Sequence, residues 1–169
     1  EYTVEELRPE SFEGVDLAIA ITPDDTARDF VPDAVKRGCV VIDESGYWRM
    51  DPKVPLVIPE VNPGHLDLVR VQRVRRKSSG AIVCNGNCST IHLTLALKPL
   101  ADAFGLKRVI VTTMQALSGA GYPGVASLDI LDNVIPFIGG EEPKLDTEPL
   151  KILGALKNER VSNLDVRIS

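Results

Sequence analysis

The chain has 169 residues, of which 44% are hydrophobic and 25% charged, as in a globular protein of one domain or slightly more. Its formal net charge of −5 argues against nucleic acid or an anionic membrane as the main partner. No apolar run approaches the roughly 20 residues that span a bilayer. The acidic N-terminus does not resemble a signal peptide, so we expect a cytoplasmic protein.

The three cysteines, Cys39, Cys84 and Cys88, are odd in number and lack the spacing of a disulfide framework. This usage is typical of free thiols in a reducing compartment. The chain has only two histidines and no pair of cysteines with two residues between them, so we predict no metal site.

The first half of the chain alternates apolar runs of strand length with helical patterns. We predict strands over 15–21, 39–43 and 81–84, and helices over 26–37 and 65–76. Pro32 should kink the first helix or delay its start. Nearly continuous apolar strands joined by helices indicate a parallel sheet covered by helices. Residues 56–58 could form a further short strand.

The second half of the chain has a different pattern. We predict a helix over 89–100, a strand over 107–114, helical spacing over 125–134 and a helix over 145–156. A glycine-rich loop occupies 118–124. The chain lacks the glycine-rich turn that normally opens a dinucleotide-binding domain, and its end reads as a strand cut short. We therefore expect a piece of a longer chain with segments missing at both ends.

Cys88 is the residue that most strongly suggests chemistry. It follows the turn formers Asn85 and Gly86 and precedes the predicted helix that begins at Ser89. At such a junction the free backbone N–H groups and the positive end of the helix dipole favour the thiolate. The same N–H groups could hold an oxyanion. The residues alone leave two interpretations open, a nucleophile or a small apolar residue in a core.

Six stretches carry a family resemblance: residues 47–51, 54–63, 87–90, 113–124, 129–136 and 139–142. Together, and in this order, they resemble the aspartate-semialdehyde dehydrogenases of the archaeal and fungal branch. The resemblance implies an α/β enzyme with two domains, both incomplete here. A Rossmann-like NADP-binding domain would occupy 1–87. An α+β catalytic and dimerisation domain with a mixed sheet would occupy 88–169.

The implied reaction is the NADP-dependent reduction of aspartyl phosphate to aspartate semialdehyde with release of phosphate. It belongs to the biosynthesis of lysine, threonine and methionine. The implied partners are this small-molecule substrate, phosphate and further copies of the chain in a homodimer or homotetramer, with no nucleic acid and no membrane. Cysteine suits such a reaction because it attacks an acyl carbon readily and also leaves readily.

The resemblance also assigns roles to individual residues. Cys88 would be the nucleophile, and Gln115 would contact the substrate near the reacting carbon. Residues expected to bind the substrate are Arg49, which would hold its phosphate group, Asn87, Glu142 and Lys144. Residues expected to contact the cofactor are Thr22, Pro23, Ser118, Gly119 and Gly121.

The chain departs from the family in three places. The glycine fingerprint for the pyrophosphate has no counterpart. Residues 43–46 read Asp-Glu-Ser-Gly where many members have Ser-Asn-Ala-Ser. The family's general-base histidine and a second substrate arginine would lie beyond residue 169. His92, one helical turn after Cys88, is therefore expected to pack or lie partly exposed rather than act as the base.

Two other functions remain possible from the sequence. One is a relative that reduces an acyl-CoA, such as a malonyl-CoA reductase. The other is a non-catalytic subunit that keeps the fold, since the phosphate-cradling loop and the second-domain base are not found in these residues.

Overall fold

A parallel sheet organises the first half of the chain in this computed structural model, which describes residues 3–169. Within those residues its strands are β1 (Leu17–Ala20), β2 (Val40–Asp43) and β3 (Ala81–Cys84), in the order β1-β2-β3. Both pairings are parallel, which confirms the prediction from the apolar runs. Strands β1 and β2 are shorter than the apolar runs that indicated them, whereas β3 spans its predicted range.

The register aligns the carboxyl ends of the three strands. Ala20, Asp43 and Cys84 lie side by side, so the segments that follow them leave the sheet at the same edge. Open parallel sheets bind ligands at this edge. The junction before Cys88 therefore lies beside the ends of β1 and β2.

Helix α1 (Asp24–Lys36) covers the sheet with Ala27, Val31, Ala34 and Val35, all buried and spaced three or four residues apart. It begins two residues before the predicted start and continues through Pro32, so the expectation of a delayed start was wrong. Helix α2 (Asp67–Arg76) is preceded by a 3-10 turn at Pro63–Leu66 and forms within the predicted range.

The predicted strand over 56–58 is reduced to one bridge, in which Leu56 pairs with Cys84. Asn62 explains why no ladder forms. Its side chain accepts a 2.8 Å hydrogen bond from the Ile58 N–H and donates one of 2.8 Å to the Leu56 carbonyl. These backbone groups are thereby satisfied without a neighbouring strand.

Two long helices dominate the second half. Helix α3 (Cys88–Phe104) packs against α5 (Glu141–Ile152) and begins at the cysteine itself. Helix α5 starts four residues before the predicted range and ends four before its predicted end. A hairpin follows, formed by β5 (Ala155–Lys157) and β6 (Arg160–Ser162).

The remaining apolar runs form less structure than predicted. The expected strand over 107–114 contributes only β4 (Arg108–Val109), which pairs in parallel with β7 (Arg167–Ile168). The helical spacing over 125–134 gives only α4 (Ser127–Ile130). Most large apolar side chains between 128 and 137 are exposed, and a short helix without tertiary packing is marginal. No helix among residues 3–169 has both the length and the apolar character to cross a membrane.

Candidate active site

Cys88 is the first residue of α3 and is exposed, whereas Cys39 and Cys84 are buried; all three are free thiols. The residue before it caps the helix. The Asn87 side-chain oxygen accepts a 3.1 Å hydrogen bond from the Ser89 N–H. The cap fixes the start of α3. The exposed thiol of Cys88 therefore lies at the positive end of a helix of 17 residues.

A carboxylate that the sequence did not assign lies beside this helix start. Glu141, the first residue of α5, is only 6% exposed. It accepts a 2.5 Å hydrogen bond from the Ser89 hydroxyl and one of 3.1 Å from the Thr113 hydroxyl. It also accepts a hydrogen bond from the Gln115 side-chain amide. A buried carboxylate thus joins the residue after Cys88 to Gln115.

Gln115 itself is exposed and donates a 2.8 Å hydrogen bond to the Ser89 hydroxyl. The glycine-rich loop follows it. A side chain at Gly119 would come within 3.2 Å of the Gln115 amide oxygen, and Gly121 has a φ of +70°, which favours glycine. Ser118 and Gly119 belong to a 3-10 turn, Leu117–Ala120. The loop backbone therefore lies against the glutamine.

Arg49 is buried and paired with Glu148 of α5 at 3.0 Å. Its other terminal nitrogen donates a 2.7 Å hydrogen bond to the Glu44 carbonyl. Its Nε is buried and has no hydrogen-bond partner among the described residues. Arg49 therefore forms a buried structural salt bridge. A role with phosphate stays a prediction.

Three further residues of the sequence analysis lie away from these contacts. Glu142 is exposed on α5, and Lys144 is half-buried one turn from the start of the same helix. His92 is exposed on α3. The residue of the Glu-Glu pair that reaches Ser89 and Gln115 is thus Glu141, while Glu142 stays a prediction.

Thr22 and Pro23, the residues predicted to contact the cofactor near the sheet, follow the end of β1. Pro23 caps α1, and the Thr22 hydroxyl is buried with no hydrogen-bond partner among residues 3–169. Asp24 and Asp25 fill the first turn of α1, and Asp24 accepts a 2.7 Å hydrogen bond from the Gly46 N–H. Carboxylates at the start of a helix repel a phosphate group there, because both are negatively charged. The first turn of α1 is therefore not suited to a phosphate group, and a role for Thr22 and Pro23 in binding a cofactor stays a prediction.

No cluster of three or more His, Cys, Asp or Glu side chains suited to a metal ion occurs in the described part of the chain. His65 is instead a buried structural residue of the turn before α2. Burial lowers its pKa. For Cys84 the effect has the opposite sign, because burial disfavours the charged thiolate and so raises the pKa of the thiol. The neighbouring Asp43 carboxylate raises this pKa further. Of the three thiols, Cys88 is thus the one placed to react.

Sequence reasoning missed both α5 carboxylates of the site, Glu141 and Glu148. One signal was available. They are seven residues apart, so on a helix they lie on one face. A buried pair of acids on one helix face requires partners, and these are Ser89, Gln115 and Arg49.

Known proteins share this arrangement of sequence and fold. Residues 1–69 match the family model of the semialdehyde dehydrogenase NAD-binding domain, and residues 97–167 match that of the semialdehyde dehydrogenase dimerisation domain. The chain therefore belongs to the semialdehyde dehydrogenase family. The predicted fold class, a Rossmann-like domain followed by an α+β domain, is confirmed. The predicted boundary at 87/88 falls between the two matched ranges and stays a prediction.

Two archaeal relatives are aspartate-semialdehyde dehydrogenases. The protein of Methanothermobacter thermautotrophicus is 54% identical over 153 residues, covering 90% of this chain and 44% of the relative. That of Archaeoglobus fulgidus is 52% identical over 154 residues, covering 91% and 45%. The crystal structure of the Candida albicans aspartate-semialdehyde dehydrogenase with NADP superposes with a TM-score of 0.79 at 37% identity, covering 90% of this chain and 45% of that one. The chain thus spans slightly under half the length of these proteins.

Proposed function

We propose that the complete protein reduces aspartyl phosphate to aspartate semialdehyde and releases phosphate, with NADPH as the reductant. The observation that carries the proposal is the exposed Cys88 thiol at the start of α3, flanked by Ser89, Glu141 and Gln115 in one hydrogen-bond network. More than 50% identity to two archaeal aspartate-semialdehyde dehydrogenases supports the choice of substrate.

The first step is the attack of the Cys88 thiolate on the acyl carbon of aspartyl phosphate. The sulfur–carbon bond forms, the bond from carbon to the phosphate oxygen breaks, and phosphate leaves with the electron pair. The helix dipole at Cys88 favours the thiolate. The product is a thioester on Cys88.

The second stage turns the thioester into the aldehyde. When bound, the cofactor supplies the hydride that reduces the thioester carbon. Hydride addition leaves a thiohemiacetal anion on Cys88. Its oxygen re-forms the carbonyl bond of the aldehyde as the carbon–sulfur bond breaks, and sulfur leaves as the thiolate, ready for another cycle. In this scheme Thr22, Pro23, Ser118, Gly119 and Gly121 hold the nicotinamide end.

The substrate contacts follow from the charges around the cysteine. Gln115 lies near the reacting carbon, and Asn87 adjoins the thiol. Glu141 carries a negative charge suited to the substrate ammonium group, and we assign it this role beside the predicted Glu142. Lys144 and Arg49 supply positive charge for the phosphate. The general base, in this scheme, is not His92.

The remaining features of the proposal concern the whole protein. We place it in the cytoplasm, because three free thiols suit a reducing compartment. We expect a homodimer or homotetramer. The match to a dimerisation domain over 97–167 and the exposed apolar side chains within that range support self-association. The NADP-binding unit is proposed to end at residue 87.

Replacing Cys88 tests the proposal. In the complete protein, Cys88→Ala should lower phosphate-dependent oxidation of aspartate semialdehyde by more than about 1,000-fold. The matched control is Cys39→Ala, which removes a buried thiol remote from the turn and should retain activity. Malonyl-CoA is assayed alongside, and turnover of it in place of aspartyl phosphate would identify an acyl-CoA reductase. Activity retained by Cys88→Ala would refute the nucleophile.

A further inference from the structure

Glu148 is a buried acid that has no role in the proposed reaction. It lies on α5 and is 2% exposed. One carboxylate oxygen accepts a 3.0 Å hydrogen bond from the Arg49 guanidinium, and the other accepts one of 2.8 Å from the Asn87 backbone N–H. It therefore joins two residues that the proposed function places in contact with the substrate.

The contact with Asn87 bears directly on the position of Cys88. Asn87 is the cap of α3 and the residue immediately before the cysteine. Gly86, the residue before Asn87, also lies beside the Glu148 carboxylate. A side chain at Gly86 would come within 3.7 Å of a Glu148 oxygen and 3.3 Å of Ile91. The turn that carries the thiol is thus packed against Glu148 and Ile91.

The contact with Arg49 is reinforced by the same helix. Lys151, one turn further along α5, donates a hydrogen bond to the Arg49 backbone carbonyl. Arg49 is thereby held through both its side chain and its backbone by α5. Burying a carboxylate is unfavourable unless good partners surround it. Here the partners are a guanidinium and an N–H group at the cap of a helix, and both are residues of the proposed site.

We propose that Glu148 is a positioning residue that fixes the Cys88 turn relative to Arg49. The inference rests on the proposed function, in which Cys88 attacks the acyl carbon and Arg49 holds the phosphate that leaves it. Both groups must meet one substrate at once, and an error of about 1 Å in such an arrangement can lower the rate about 100-fold. Glu148 acts on alignment and leaves the thiol's own reactivity intact.

Two variants of the complete protein separate alignment from simple folding. Glu148→Gln offers one acceptor to two donors, so one of Arg49 and Asn87 loses its partner. Glu148→Asp keeps both oxygens but withdraws them by one methylene. The matched control is Asp146→Asn, an exposed acid two residues earlier on α5. Each variant is assayed for kcat, for KM and for the alkylation rate of Cys88 by iodoacetamide, below its unfolding temperature.

We expect kcat of Glu148→Gln to fall about 10- to 100-fold, with KM for phosphate raised and Glu148→Asp intermediate. Alkylation of Cys88 should stay within about 3-fold of the wild-type rate, because a small reagent needs no alignment with Arg49. Cys39 and Cys84 should remain protected, which a loosened fold would not allow.

The proposal is overturned if both folded variants keep kcat within about 2-fold of Asp146→Asn. It is also overturned if kcat and Cys88 alkylation fall together, since Glu148 would then control reactivity. Failure of both variants to fold would assign Glu148 to folding alone. A wild-type protein that does not turn over aspartate semialdehyde is a separate outcome, which refutes the proposed function and with it a positioning role in that reaction.

Discussion

The Ser89 hydroxyl donates a 2.5 Å hydrogen bond to Glu141, so the first helical turn after Cys88 is bound to the first residue of α5. The two residues are 52 positions apart in the chain. Glu141 also receives hydrogen bonds from Thr113 and Gln115. This carboxylate therefore brings together the helix of the nucleophile and the segment between β4 and the glycine-rich loop.

The first prediction separates the two acids at the start of α5. Glu141→Gln should lower turnover of aspartate semialdehyde by about 100-fold, because Ser89, Thr113 and Gln115 lose a charged acceptor and the proposed ammonium contact loses its charge. Glu142→Gln should cost less, since that side chain is exposed. Steady-state kinetics on both variants measures the difference. A larger loss for Glu142→Gln would restore the assignment made by resemblance.

The second prediction concerns thiol selectivity. Iodoacetamide at pH 7 to 8 should label Cys88 and spare Cys39 and Cys84, because the two buried thiols are inaccessible and burial raises their pKa. Peptide mapping by mass spectrometry after brief labelling identifies the site. Urea should make all three thiols reactive. Labelling of Cys84 as fast as Cys88 in the folded protein would contradict the burial described above.

Much of the sheet could be predicted because its cause is local. The runs over 15–21, 39–43 and 81–84 are apolar, of strand length and separated by helical patterns. The hairpin of β5 and β6 was missed. Its turn residues, Asn158 and Glu159, both have positive φ, and glutamate gives no signal for that conformation. The pattern over 107–114 was misleading because a strand needs a partner, and β7 supplies one for only two residues.

The candidate site also has features that the sequence predicts and features that it does not. The position of Cys88 at a strand–turn–helix junction is readable from neighbouring residues, and its relation to Gln115 came through the family resemblance. Glu141 and Glu148 could not be placed, because the partners of Glu141 are 26 to 52 residues away in the chain and those of Glu148 are 61 and 99 residues away. Such contacts depend on how α5 packs against α3, which no local pattern specifies.

The third prediction concerns Lys151, which is 1% exposed. Its ammonium group donates to the backbone carbonyls of Arg49, Asp51 and Val54. Burial lowers its pKa to about 8, so at pH 7 it still has a hydrogen for each carbonyl. Lys151→Met leaves three carbonyls without this partner and should lower the free energy of unfolding by about 3–5 kcal/mol.

Urea unfolding at pH 7 measures this loss. The control is Lys157→Met, which removes an exposed lysine on β5 and should change stability by less than about 0.5 kcal/mol. A loss no larger for Lys151→Met than for the control would mean that the carbonyls find other partners. We also expect Lys151→Met to lose activity, because one of these hydrogen bonds holds the backbone carbonyl of Arg49.

The last prediction is a pH dependence of stability that arises from His65. Its Nε2 lies 3.1 Å from the Gly154 carbonyl, which can only accept, so Nε2 carries the hydrogen. Its Nδ1 lies 3.0 Å from the Asn62 amide nitrogen, which donates to it. A proton on Nδ1 would place two donors face to face, and burial lowers the pKa of His65 further below its usual value of 6.5.

Because the folded state binds this proton less readily than the unfolded state, the stability contributed by neutral His65 is complete above about pH 6.5. It is lost as pH falls from there towards the lower folded-state pKa, at no more than about 1.4 kcal/mol per pH unit for one proton. Urea unfolding midpoints between about pH 5 and 7.5 measure the slope. His65→Gln should flatten it, while His92→Gln, at the exposed histidine, should leave it unchanged. An equal slope in wild type and His65→Gln would place the pH dependence on other groups.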